Sequence, residues 1–287
     1  MLLNPLLAST LTRYAPSIFD DGESFAGWLT NSILVGVMVS IFVIWVCHRA
    51  TAQMTLIPGA RQNSFEAVVQ GLYDMLEGIV GSHMIGRTFS LLATLFIFIL
   101  ASNWFALLPG VGSIGWGETA PGFLRSLPSV ETPLLRPTTA DLNMTLAMAA
   151  IFMVMWLYWA LSEVGVKNFL NHLFGVKGGL KGIMALILIP IFFFVGIIEV
   201  VSILFRPVSL SLRLFGNVFA GENLLATMIT LGRDMNLPEW LAYIASVTIP
   251  IPFYFLELLV GVLQATVFML LCAVYIQLAT THDEEEH

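Results

Sequence analysis

The chain has 287 residues, 57% of them hydrophobic and 11% charged, with a formal net charge of −7. That balance excludes an ordinary soluble domain, and several uncharged apolar runs exceed the roughly 18 residues that suggest a membrane-spanning helix. Much of the negative charge sits in Asp20, Asp21, Glu23 and the tail 283–286, runs that read as solvated ends and leave no footprint for nucleic acid.

Residues 1–27 form a leader without a basic n-region, so no cleaved signal peptide is expected. The first span covers about 28–48, from the interfacial Trp28 to His48 and Arg49. Cys47 and Cys272 lack partners at metal-ligand spacing and read as inert buried thiols, so no metal is expected. Over 63–83 the apolar residues Phe65, Val68, Val69, Leu72, Leu76, Ile79 and Val80 recur at helical spacing, and Asn63 with Glu66 predicts a capping box. This amphipathic helix either lies in the membrane surface, docks on a partner, or packs on its own protein.

The second predicted span is 88–109. The stretch 111–140, with four prolines, reads as an irregular loop outside the membrane. Asp141 opens the third span, about 141–165, where an acid suits a helix N-terminus. Residues 166–181 read as a flexible basic connector; the glycines and lysines of 175–182 lack the Gly-Lys-Ser/Thr of a phosphate loop. Arg49, Arg61, Arg87, Lys167, Lys177 and Lys181 fall on one side and Arg13, Arg125, Arg136 and Arg233 on the other, which favours an outer N-terminus and a cytoplasmic C-terminus.

The last hundred residues do not fit upright spans. A helix over 183–232 would be about 75 Å long at ~1.5 Å per residue, against a hydrocarbon core of about 30 Å. Pro190 and Pro207 bend such a segment rather than reverse it. The turn 232–238 then leads to a second overlong helix over 239–281. The expected fold is all-α: a polytopic membrane protein of about five embedded helices, including a tilted two-helix hairpin over 182–282, plus the amphipathic helix and an acidic tail, 283–287.

That hairpin holds the candidate site. Glu199, Arg206 and Arg213 are seven apart and share a helix face with Ser202, Ser209 and Asn217. Glu222 lies nearly half a turn round from Arg213, while Glu257 and Gln264 are again seven apart. Charges inside a membrane segment are costly and mark ion paths by default. An arginine cannot act as a proton carrier, so Arg213 must be a fixed charge that a mobile negative group meets. Ser209, Ser211, Gly216, Ala220 and Gly221 allow close approach of another helix, or serve packing within the chain.

The run Pro207-Val-Ser-Leu-Ser-Leu-Arg-Leu-Phe-Gly-Asn-Val-Phe-Ala-Gly-Glu222 closely resembles subunit a of the F-type ATP synthases, as do 137–143 and 263–269 with Tyr275. The resemblance implies a stator subunit of the bacterial inner membrane, beside a ring of c subunits and the subunit b stalk, within the whole synthase and its lipid. It implies that Arg213 meets each c-subunit carboxyl and blocks leakage between two offset half-channels. Glu222, Glu257, Asn217 and Gln264 would line the outer one, and Glu199, Ser202, Arg206 and Ser209 would lie toward the cytoplasmic one. Many members place histidine at one of the positions of Glu222 and Glu257. Two glutamates in one cavity can share a proton or admit sodium, and the c-subunit site would settle the ion. With no nucleotide motif and no cofactor expected, ATP chemistry would belong to partners.

The rival reading is a stand-alone ion-coupled secondary transporter, but the chain has no internal repeat or paired broken helices. A structural scaffold leaves Arg213 unexplained. Copurification with a small two-helix proteolipid is the expected outcome for the synthase subunit; substrate exchange by the purified chain alone would favour the transporter.

Overall fold

The computed structural model describes residues 30–52, 54–55, 59–108, 111, 115–116, 132–133, 135–174, 183–234 and 238–280. The leader, the acidic tail and the run 175–182 lie outside the described residues. The described chain is helical: α1 (Asn31–Thr51), α2 (Ala60–Val80), α3 (Ser82–Ala106), α4 (Leu142–Val164), α5 (Val166–Phe174), α6 (Ile183–Asp234), α7 (Glu239–Thr248) and α8 (Pro250–Thr280). A 3-10 turn spans Thr138–Ala140, and Gly115–Trp116 pairs antiparallel with Thr132–Pro133. Among the described residues, five segments are long and apolar enough to cross a membrane: Asn31–Thr51, Ser82–Ala106, Leu142–Val164, Pro190–Ile229 and Trp240–Thr280. The protein is an all-α polytopic membrane protein.

Local chemistry sets the helix ends. Thr30 caps α1 by accepting from the Ile33 amide at 3.4 Å, and His48 and Arg49 in its last turn complement the helix dipole. Asp141 caps α4, accepting from the Asn143 amide at 3.0 Å. Gly81 and Gly165 take φ of 85° and 81°, a region that suits glycine, and there α2 gives way to α3 and α4 to α5.

Several expectations are corrected. Asn63 is not a cap: α2 starts a turn earlier at Gly59, whose carbonyl accepts from the Asn63 amide at 2.9 Å. Ala60, Arg61 and Gln62 are good helix formers and extend the helix upstream, leaving Glu66 to accept from Gln62 Nε2 at 2.7 Å. The second half of α2 packs on its own protein through Leu72, Leu76 and Val80, whereas Val68 and Met75 remain exposed. The connector expected over 166–181 opens with α5, because Phe169 packs edge-on against Trp156 at 6.5 Å and Leu173 is buried. The end of the loop 111–140 packs into the bundle: Arg136, Thr138 and Thr139 are buried, and Thr138 Oγ1 donates to the Ser32 carbonyl at 3.3 Å. The second helix of the hairpin is divided into α7 and α8, since Pro250 and Pro252 remove two donors from its hydrogen-bond ladder.

α6 runs unbroken through Pro190 and Pro207 for 52 residues. It packs against α4, α5, α7 and α8. Leu210 and Leu214 enter a core shared with Phe152 and Trp156 of α4 and Phe268, Met269 and Cys272 of α8. At the opposite end of the bundle from the α6–α7 turn, Glu163 of α4 accepts from Arg87 and pairs with His83 Nε2 at 3.1 Å. These partners keep Arg87 inside α3, which therefore begins before the expected Thr88.

Gly196 is where the end of α5 meets α6: a Cβ there would overlap the Leu173 carbonyl oxygen and the Phe174 ring. Gly196→Val should lower stability by about 1–3 kcal/mol, the usual cost of overpacking. Gly216→Ala, which meets only open space within the chain, should not. Unfolding by SDS in mixed micelles reads both, and equal stability of the two variants would contradict the α5–α6 contact.

Candidate functional site

The polar residues of α6 fall into three settings, fixed by how the helix is rolled against its neighbours. The buried positions Leu210, Ser211, Leu214, Val218 and Leu225 define its inner face. Side chains at the margins of that face meet other helices, and those beyond it face outward.

Near the α6–α7 turn, α3, α6 and α8 enclose a cleft whose space, mouth included, is about 400 Å³. Asn103 and Ala106 line it from α3, Asn217 and Glu222 from α6, and Glu257 and Gln264 from α8. Asn217 Nδ2 donates to Gln264 Oε1 at 2.6 Å. The Gln264 Nε2 amide is buried with no protein acceptor, which in a polar cleft of this size makes it a donor for water or a solute. The Glu257 carboxylate rests against Gly221, occupying the space where any side chain at 221 would begin. The absent side chain lets α8 bring an acid to the surface of α6, so the role of Gly221 is close approach within this chain.

Around the cleft runs a second layer that sequence reasoning missed. Asn103 Nδ2 donates to the Gly261 carbonyl at 3.3 Å and its Oδ1 accepts from Thr139 Oγ1 at 2.8 Å. These bonds tie α3 and the 3-10 turn to α8. Arg136 is only 4% exposed and, like Glu257, lies close enough to Glu222 to interact electrostatically. The one signal for this layer was that Arg136 directly precedes the run 137–143.

The remaining predicted residues are not brought into the cleft. Ser202, Ser209 and Arg213 are exposed. Arg213 is exposed on a helix face that it shares with Ser209 and Asn217, and among the described residues it has no ion-pair partner. Glu199 is half-buried, two turns before Arg206 and within electrostatic reach of it. Arg206 departs from the expected common face: its guanidinium turns inward, 5.4 Å from the centre of the Trp156 ring and 4.9 Å from that of Tyr275. The arrangement is a fixed outward cation, with an acid-bearing cleft toward one end of α6 and a smaller polar group toward the other. Among the described residues no cluster of histidine, cysteine or acids could hold a metal ion.

Comparison with known proteins agrees across nearly the whole chain. The family model described as ATP synthase A chain matches residues 29–277. "ATP synthase subunit a" of Trichlorobacter lovleyi is 34% identical over 252 residues, covering 86% of each chain. The protein of that name from Mycobacterium ulcerans is 30% identical over 269 residues, 91% of this chain and 93% of its own. That from Campylobacter concisus is 30% identical over 251 residues, 87% of this chain and 89% of its own.

The Asn217–Gln264 bond is testable without any assay of activity. A double-mutant cycle with Asn217→Ala and Gln264→Ala should give a coupling energy of about 0.6 kcal/mol, the average for side-chain hydrogen bonds between membrane helices. The cycle is read from SDS unfolding. Strictly additive losses would mean that the two amides do not bond.

Proposed function

The chain belongs to the ATP synthase A chain family, and on that premise we propose that it is the ion-translocating stator subunit of an F-type ATP synthase. In this reading Arg213 faces a ring of c subunits and meets the ionised carboxyl of each in turn. The observation that carries the reading is the setting of Arg213: exposed, without an ion-pair partner among the described residues, and within a segment long and apolar enough to cross a membrane. An arginine left so in hydrocarbon is costly. A passing carboxylate removes that cost, and the arginine in turn favours the ionised form of the carboxyl that reaches it.

The cleft of Glu222, Glu257, Asn217 and Gln264 serves as the outer half-channel. Water in the cleft and the two carboxylates carry protons to the margin of the α6 wall, and Gln264 Nε2 offers a donor to that water. Glu199, Ser202 and Ser209, with Arg206 behind them, mark the inner approach. Along the helix, Glu222 stands about 13 Å to one side of Arg213 and Glu199 about 21 Å to the other, at ~1.5 Å per residue. Ions therefore have no straight route, and they pass only by riding the ring around. A membrane potential supplies about 2.3 kcal/mol per charge for each 100 mV, and offset channels direct that work into rotation. Partners in this reading are the c ring, the subunit b stalk, the remainder of the synthase and lipid, in a bacterial inner membrane with the N-terminus outside.

ATP-driven proton pumping in membrane vesicles tests the assignment. With assembly matched to the native complex, Arg213→Ala should abolish pumping. Normal pumping by that variant would overturn the mechanism.

A further inference from the structure

Arg206 has a setting that the ion path does not explain. Its guanidinium lies over two aromatic rings from two different helices, Trp156 of α4 and Tyr275 of α8. A cation over ring faces is attracted by their electron density, and arginine adds planar stacking to that attraction. The Trp156 ring is itself held. Trp156 is buried, donates through Nε1 to the Tyr275 carbonyl oxygen at 2.7 Å, and packs edge-on against Phe169 of α5. Arg206 thus enters a preformed box that ties α6 to α4 and α8 at one point.

The place matters because of helix geometry. Seven residues fall about 20° short of two full turns. Arg206 lies at the margin of the inner face of α6, and that drift carries Arg213 further from Leu210 and Leu214 and outward. A small roll of the helix would bring Arg213 inward or expel Arg206. The next residue, Pro207, lacks an N–H and removes the ladder bond to the Ile203 carbonyl, in the turn that carries Arg206. The long helix thus has a weak joint where its roll must be fixed.

We propose that Arg206, boxed by Trp156 and Tyr275, is a positioning residue that sets the roll of α6 and thereby aims Arg213 outward. It does not handle ions itself. Glu199 stands near it on the same helix.

Nitroxide pairs test this in the full-length chain carrying Cys47→Ser and Cys272→Ala. One pair joins Arg213→Cys to Val154→Cys on the exposed side of α4; the control pair joins Ile41→Cys of α1 to Val154→Cys. Adding Arg206→Gln, or separately Tyr275→Leu, should shift or broaden the first distance by about 3 Å or more, the displacement of an outer label on a roll of this size. Arg206→Lys, which keeps a cation over the rings, should restore the native distance, and the control pair should not move in any variant. An unmoved 213–154 distance in Arg206→Gln, or equal broadening of both pairs, overturns the proposal.

Pumping adds a second arm that rests on the synthase reading. Arg206→Gln and Tyr275→Leu should each lower it about tenfold or more at matched assembly, as small misplacements of a reacting group do. The two together should do no worse than either alone. Native pumping by Tyr275→Leu beside a defective Arg206→Gln would make Arg206 an ion-path charge and overturn the proposal. The distances do not depend on the motor: if Arg213→Ala pumped normally, the synthase reading would fall while the measured roll still decided this one.

Discussion

Leu210 and Leu214 are fully buried in the core that α6 shares with α4 and α8, and every polar group on α6 takes its address from that seam. A helix has one rotational degree of freedom about its axis. Once two leucines are locked into a close-packed core, the direction of each other side chain is determined to within its rotamer. Asn217 is carried to the margin that meets Gln264, Glu222 to the opposite margin of the buried face, and Arg213, one turn before Asn217, further outward. The seam is apolar, but what it positions is the chemistry.

Burying polar groups in such a bundle is tolerable only with partners, since an unpaired amide or hydroxyl away from water costs about 1–3 kcal/mol. Around the cleft most of that cost is met by amide and hydroxyl pairs: Asn217 with Gln264, and Thr139 with Asn103, which in turn reaches Gly261. These bonds also join elements far apart in sequence, so the walls of the cleft and its polar lining are the same residues. Gln264 Nε2 and Ser102 Oγ are left without protein partners. The first opens on the cleft, where a solute can satisfy it.

Arg206 and Arg213 of α6 stand in contrasting settings. Arg206 is withdrawn between two aromatic rings, and it helps to hold three helices in register. Arg213 is left exposed, where its charge has no internal compensation among the described residues.

Much of this was legible in the residues. Composition and run length alone required a helical membrane protein, because only hydrogen-bonded helices or closed barrels satisfy the backbone in hydrocarbon, and the absence of a polar turn between 183 and 232 required one overlong helix. Intramembrane Glu222, Glu257 and Arg213 stood out because charge in an apolar run has no bland explanation. Ends were harder. The capping pair Asn63 and Glu66 was outcompeted by helix formers just upstream, and α5 was hidden in a short basic stretch whose apolar residues acquire meaning only against Trp156 and α6. Seven-residue spacing put Arg206 and Arg213 on one face, yet periodicity cannot resolve the 20° that separates inward from outward. That was decided by which rings stand opposite, as were the proximity of Arg136 to Glu222 and the fit of Glu257 against Gly221. Local sequence determines what each segment can be, through hydrogen bonding and hydrophobicity along the chain. Which side chains meet is a property of packing between segments, and only the tertiary structure contains it.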